Sequence, residues 1–123
     1  MSFADPQPRR IVRPGEVLCP LDALPDPGSK SFTIERSGEP QEIFVVRRGD
    51  HAFAYANRCP HVGTPLDWQP DVFLNHARTL IQCATHGALF RIDDGFCIAG
   101  PCRDERLTPV GLNIIDGEIR LAD

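Results

Sequence analysis

Two short segments of this 123-residue chain each set a cysteine beside a histidine: Cys59-Pro60-His61 and Cys83-Ala84-Thr85-His86. Thiolate sulfur and imidazole nitrogen are the side-chain donors that soft and borderline transition metals prefer. The 21 residues between His61 and Cys83 are too many for one local turn. They suit two neighbouring loops at the tip of a β structure, which deliver two thiolates and two imidazoles to one point. Two chemistries use that set. Structural zinc takes two Cys and two His as a closed tetrahedron. A two-iron, two-sulfide cluster takes two Cys on one iron and two His on the other, which raises its potential. The glycines favour the second: Gly63 follows the first pair and Gly87 the second, where a backbone bending close to a cluster benefits from having no Cβ. Zinc-finger spacings fit poorly, so a zinc-stabilised binding module without a redox role is the further alternative.

Pro60 stiffens the first segment, and Gly100-Pro101 supplies a third rigid turn able to cover a bound group. The run Cys59-Pro60-His61-Val62-Gly63-Thr64-Pro65-Leu66, then Cys83-Ala84-Thr85-His86-Gly87-Ala88-Leu89-Phe90, then Gly100-Pro101, resembles the Rieske [2Fe–2S] domain family in its soluble, ferredoxin-type branch. The resemblance implies an all-β fold of three antiparallel sheets, a single domain over residues 1–123 with a cluster-binding subdomain at 57–102 inserted in a β base. It implies a [2Fe–2S] cofactor, with Cys59 and Cys83 on the buried iron and His61 and His86 on the outer iron near solvent.

Departures from the family pattern narrow the branch. High-potential members carry an extra Cys in each loop, joined as a disulfide, and this chain has Thr64 and Thr85 there. They also use a Ser and a Tyr beyond the second His as hydrogen-bond donors, where Ala88 and Phe90 stand here. Fewer donors stabilise the reduced, more negative cluster less, so the expected potential is at the low end of the range, about −150 mV. The implied function is a low-potential one-electron carrier between a reductase and a terminal oxygenase or related redox protein, not itself an enzyme. The alternative is a small subunit or accessory module of a larger oxidoreductase such as a nitrite reductase. The spacer is long, and Asp67 to Arg78 reads as an insertion on the rim of the site, with Trp68 and Phe73 as either partner contacts or core residues.

The elements that must position these residues are short strands. Pro and Gly, 12 and 10 residues, are spread along the chain rather than gathered into a linker, which favours many short segments joined by tight turns. Strand-like runs fall at 10–13, 31–34, 43–47, 52–56, 80–82, 88–91, 96–99, 112–115 and 118–121. Gly49-Asp50, Asp94-Gly95 and Asp116-Gly117 have hairpin-turn chemistry. One short helix is expected around Leu66 to Leu74, limited by Pro65 and Pro70, and residues 19–29 read as an irregular surface loop.

A net charge of −4 gives no basic field for nucleic acid. No apolar run approaches the roughly 20 residues of a membrane span, and the first ten residues lack the apolar core of an export signal. The expected compartment is the cytoplasm, where five cysteines argue for metal or redox use over a disulfide framework. Cys97 and Cys102 are expected as buried free thiols. Cys19 is expected to pack under the Pro-rich loop, and His51 and His76 to lie in solvent. Arg58, Arg91 and Arg103 are either guides for a partner or plain surface charges.

Overall fold

The computed structural model describes residues 10–60, 63–67, 69, 71–84 and 87–122. Eleven strands run through the described residues: β1 Ile11–Val12, β2 Val17–Pro20, β3 Gly28–Arg36, β4 Glu39–Arg48, β5 His51–Ala56, β6 Ile81–Gln82, β7 Leu89–Phe90, β8 Cys97–Ala99, β9 Pro109–Val110, β10 Leu112–Ile115 and β11 Glu118–Leu121. They form three sheets, ordered β1-β3-β4-β5-β9, β10-β11-β2 and β6-β7-β8. All pairings are antiparallel except β1 with β3, which is parallel.

The five-stranded sheet is the middle layer, and its burial explains why. Residues Ile43, Phe44, Val45 and Val46 of β4 are all fully buried, although successive strand side chains point to opposite faces. Both faces must therefore be covered. Ile43 and Val45, with Ala54 of β5, join a core with Leu18, Val110, Ile119 and Leu121 under the β10-β11-β2 sheet. Phe44 and Val46, with Tyr55, join the other core with Cys59, Leu66, Phe73, Cys83, Phe90 and Cys97. The segments bearing the chemistry thus rest on one face of a sheet whose other face is independently packed.

The hairpin turns form where turn chemistry places them. Asp116 and Gly117 both have positive φ, 52° and 76°, as a type I′ turn requires. Ser37-Gly38, a Ser-Gly turn pair, does the same at 54° and 80° between β3 and β4. At the β7–β8 turn the Asp94 carboxylate accepts the Phe96 N–H at 3.0 Å and pairs with Arg91, which holds that carboxyl below the usual range. Gly95 is needed there, since a Cβ would sit 2.8 Å from Cε1 of Tyr55.

Three expectations are corrected. The segment 19–29 is only partly a loop: Cys19 and Pro20 end β2, paired with Ile119 and Glu118, a 3-10 turn covers Leu21–Ala23, and β3 already starts at Gly28. No described residue between Leu66 and Leu74 is helical, and Asp71 there has φ 66°, which a right-handed helix excludes. Part of the spacer expected on the rim is also anchored in the base, at Asp71 and Phe73. Asp71 Oδ1 accepts the Ser31 N–H and hydroxyl, each at 2.8 Å, and its carbonyl accepts the Ser29 hydroxyl at 2.7 Å. Phe73 is fully buried and stacks on Phe44 with ring centroids 4.3 Å apart. Trp68 lies outside the described residues.

Candidate metal centre

Two loops carry the cysteines, and they solve the same backbone problem in the same way. In the first, the Cys59 N–H donates to Thr64 O at 2.7 Å and the Gly63 N–H returns to Cys59 O at 2.7 Å. In the second, the Cys83 N–H donates to Ala88 O at 2.8 Å and the Gly87 N–H returns to Cys83 O at 2.9 Å. Each loop thus closes on its cysteine through the residues four and five positions on. The returning glycine must be left-handed to make this turn, and Gly63 and Gly87 have φ of 75° and 66°. Glycine adopts that region without the steric penalty a Cβ brings.

The loops are tied to each other and to the sheet through Asn57 and Leu66. The Asn57 N–H donates to Glu42 O at 2.9 Å, which fixes the exit from β5. Its Oδ1 accepts the Leu66 N–H at 2.8 Å and its amide donates to Asp67 at 3.0 Å. Leu66 O then accepts the Ala84 N–H at 2.8 Å, one residue past Cys83. Asn57 was not singled out from the sequence, because an Asn ending a strand reads as ordinary turn punctuation. Its place two residues before the first metal-type Cys was the available signal.

Cys59 and Cys83 are 1% and 0% exposed and belong to one core, so both thiols expected to ligate are held away from water. His61, His86 and Thr85 lie outside the described residues, and among the described residues no group of three or more metal-type side chains meets. The described part nevertheless fits a two-iron cluster: two soft sulfur donors, each carried in a loop closed by the same pair of main-chain hydrogen bonds. Ala88 and Phe90 are fully buried and bring no side-chain donor.

A third segment backs the second loop. Gly100 presses so close that a Cβ on it would lie 2.8 Å from Ala88 Cα. Behind it, Cys97 and Cys102 are buried thiols with sulfurs 3.2 Å apart. Burial first, then the hydrogen bond and charge of Cys97, push the Cys102 thiol well up. Burial also pushes Cys19 up, in β2. Around the site Arg58 and Arg103 are exposed, with the Arg58 guanidinium lying across Gly63. Arg91 is engaged elsewhere, on Asp94 and over the Phe96 ring. His51 and His76 are exposed. No described helix is long and apolar enough to cross a membrane.

A family model described as the Rieske [2Fe-2S] domain matches residues 16–115. No curated protein sequence matches. Among solved structures, the ferredoxin of carbazole 1,9a-dioxygenase from Nocardioides aromaticivorans IC177 is similar at 26% identity and a TM-score of 0.69, over 89% of this chain and 97% of that one. A ferredoxin of Sphingomonas yanoikuyae B1 is similar at 21% identity and 0.64, over 89% and 98%. The terminal oxygenase of carbazole 1,9a-dioxygenase from Novosphingobium sp. KA1 shares the fold at 16% identity and 0.68, over 92% of this chain but 31% of that one.

Proposed function

The chain belongs to the Rieske [2Fe–2S] domain family, and we propose that it works as a ferredoxin-type carrier, passing single electrons from a reductase to a terminal oxygenase or related oxidoreductase. What carries this reading is the near end-to-end correspondence with a ferredoxin of a dioxygenase system, 97% of which is covered, against the 31% covered in an oxygenase. In this reading residues 57–102 act as the cluster-holding subdomain of a single domain, and the chain is an electron-transfer component that makes no bonds in a substrate. The compartment is the cytoplasm, which suits cysteines of which no two are joined as a disulfide among the described residues.

Cys59, Cys83, His61 and His86 would hold the cluster, the two cysteines on one iron and the two histidines on the other. A [2Fe–2S] cluster bound there supplies reversible one-electron transfer. The protein's part is to hold Cys59 and Cys83 away from water, to fix both loops through Asn57 and Leu66, and to offer His61 and His86 as the electron port. With Ala88 and Phe90 offering no donor, the potential is about −150 mV.

Visible and EPR spectra of the reduced protein, followed by titration of its midpoint across pH, test this. Mixed His/Cys ligation gives an EPR signal distinct from an all-Cys cluster, and the potential should fall above neutral pH as the imidazoles lose their outer protons from the oxidised form. A colourless protein containing zinc sinks the proposal, and a midpoint flat into strong alkali removes His61 and His86 as ligands. Cytochrome c reduction with candidate reductases then separates the stand-alone carrier from a module of a larger enzyme.

A further inference from the structure

Apart from the proposed ligands, a pair of thiols meets in the core among the described residues. Cys97 opens β8 and Cys102 ends the Gly100-Pro101 turn, with their sulfurs 3.2 Å apart. Both are fully or almost fully buried, at 0% and 1% exposure. The Cys97 thiol donates to Ala99 O at 3.2 Å, which leaves Cys102 to donate to Cys97. Main-chain bonds already close this loop: Cys97 N–H to Glu105 O at 2.8 Å, Asp104 N–H to Cys97 O at 3.2 Å, Glu105 N–H to Cys102 O at 2.9 Å and Arg103 N–H to Gly100 O at 3.2 Å. The sulfurs need only approach by about 1 Å to reach the roughly 2.0 Å of a disulfide.

We propose that Cys97 and Cys102 are a second redox site, a reversible dithiol–disulfide couple that a low-molecular-weight disulfide oxidises and that cinches the third loop against the second cysteine loop. Cys102 is the entry point, since it sits on a turn between exposed Pro101 and exposed Arg103 and a local opening of that turn uncovers it. That opening removes the burial and the Cys97 contact that hold its proton, and the Cys102 thiolate so formed attacks the small disulfide, breaking that S–S bond, forming a mixed disulfide and releasing one small thiol. Cys97 then attacks the Cys102 sulfur, forming the internal S–S bond and releasing the second small thiol. Two electrons pass from the pair to the small disulfide, and the two protons leave on its thiols. The consequence for the metal site follows from packing. Gly100 lies against Ala88, and Ala88 O holds the Cys83 N–H, so a loop shortened by a covalent bond resists the opening that lets Cys83 go.

The test is peptide mapping of the intact, metal-loaded protein after incubation with hydroxyethyl disulfide and alkylation of remaining thiols. The expected product is a Cys97–Cys102 cross-link lacking two hydrogens, reversed by dithiothreitol, formed while the visible absorbance is retained and while Cys59 and Cys83 carry no new bond. The oxidised sample should lose iron to a chelator several-fold more slowly. Cys97→Ser should arrest the reaction at a mixed disulfide on Cys102. Two thiols that stay alkylatable until the protein unfolds overturn the proposal, as does a wild-type adduct on Cys102 that never resolves. Equal rates of iron loss from the two forms overturn the coupling to the cysteine loop. Since the mapping is done on the unaltered chain, it decides the matter even if the variant does not fold.

Discussion

In the first cysteine loop the chain is pinned by a side chain, Asn57, whose Oδ1 takes the Leu66 N–H just beyond the loop. The second loop is pinned by main chain, through Leu66 O on the Ala84 N–H and Gly100 packed on Ala88. The internal frames are the same, down to a left-handed glycine four residues after each cysteine. The difference lies in what each tolerates. A side-chain anchor can be deleted without changing the backbone, so the first loop is open to tuning by one substitution. A backbone contact leaves nothing to delete and no room for bulk, so the second loop is sensitive to added volume.

The largest effect is expected where the loops are equivalent. Cys59→Ser and Cys83→Ser should each bring iron content and visible absorbance of purified protein to background, because a serine hydroxyl does not replace a thiolate on iron. Substantial iron retained by either variant would break the equivalence at its root. Next comes Gly100→Ala, which affects the second loop alone. Its Cβ would meet Ala88 Cα at 2.8 Å, a main-chain atom that yields only if the loop moves, and φ at Gly100 is 101°. Strain and overpacking together predict a loss of roughly 2–4 kcal/mol, read by chemical denaturation, with faster loss of iron. Asn57→Ala probes the first loop and strands the N–H of fully buried Leu66, at about 1–3 kcal/mol. Asn57→Asp keeps the Oδ acceptor and should recover most of that through Leu66, while its charge repels Asp67, which Asn57 now serves as donor at 3.0 Å.

What was readable in advance follows the same division. The Cys–His segments and their glycines are local signals, because the loop closes within five residues of each cysteine, and so was the hairpin turn at Asp116-Gly117. The supports were not local. Asn57 acts on Leu66 nine positions away, and Asp71 reaches Ser31 across forty. That second contact anchors part of an expected rim insertion in the base, and no periodicity in the spacer announces it. Phe73 is a similar case: its stacking on Phe44 depends on the alternation of β4, and the spacer alone left it between partner contact and core. Two-residue strands such as Pro109–Val110 are set by the neighbour they meet, here Tyr55 and Ala54. The sequence run itself carries too few residues to show a period.

The smallest expected difference gives the sharpest comparison, between Gly63→Ala and Gly87→Ala. Each forces a side chain into the left-handed region, at a cost of about 1–2 kcal/mol. At Gly87 the new Cβ meets no described atom within 4 Å, whereas at Gly63 it would come 3.2 Å from Arg58 Nε and 3.3 Å from Nη2. Those atoms are the far end of an exposed, flexible side chain, which swings aside at little cost. The two variants should therefore lose the same stability within about 0.5 kcal/mol, since surface rearrangements away from buried features fall in that range. The comparison breaks if Gly63→Ala costs clearly more, and Arg58→Ala in the same chain then assigns the excess. Restored parity puts it on the guanidinium, and a persistent gap means the first loop is held more rigidly than its frame implies. Iron retention adds the second axis: if the open side of Gly87 faces the metal group, Gly87→Ala should shed iron faster than Gly63→Ala at equal stability.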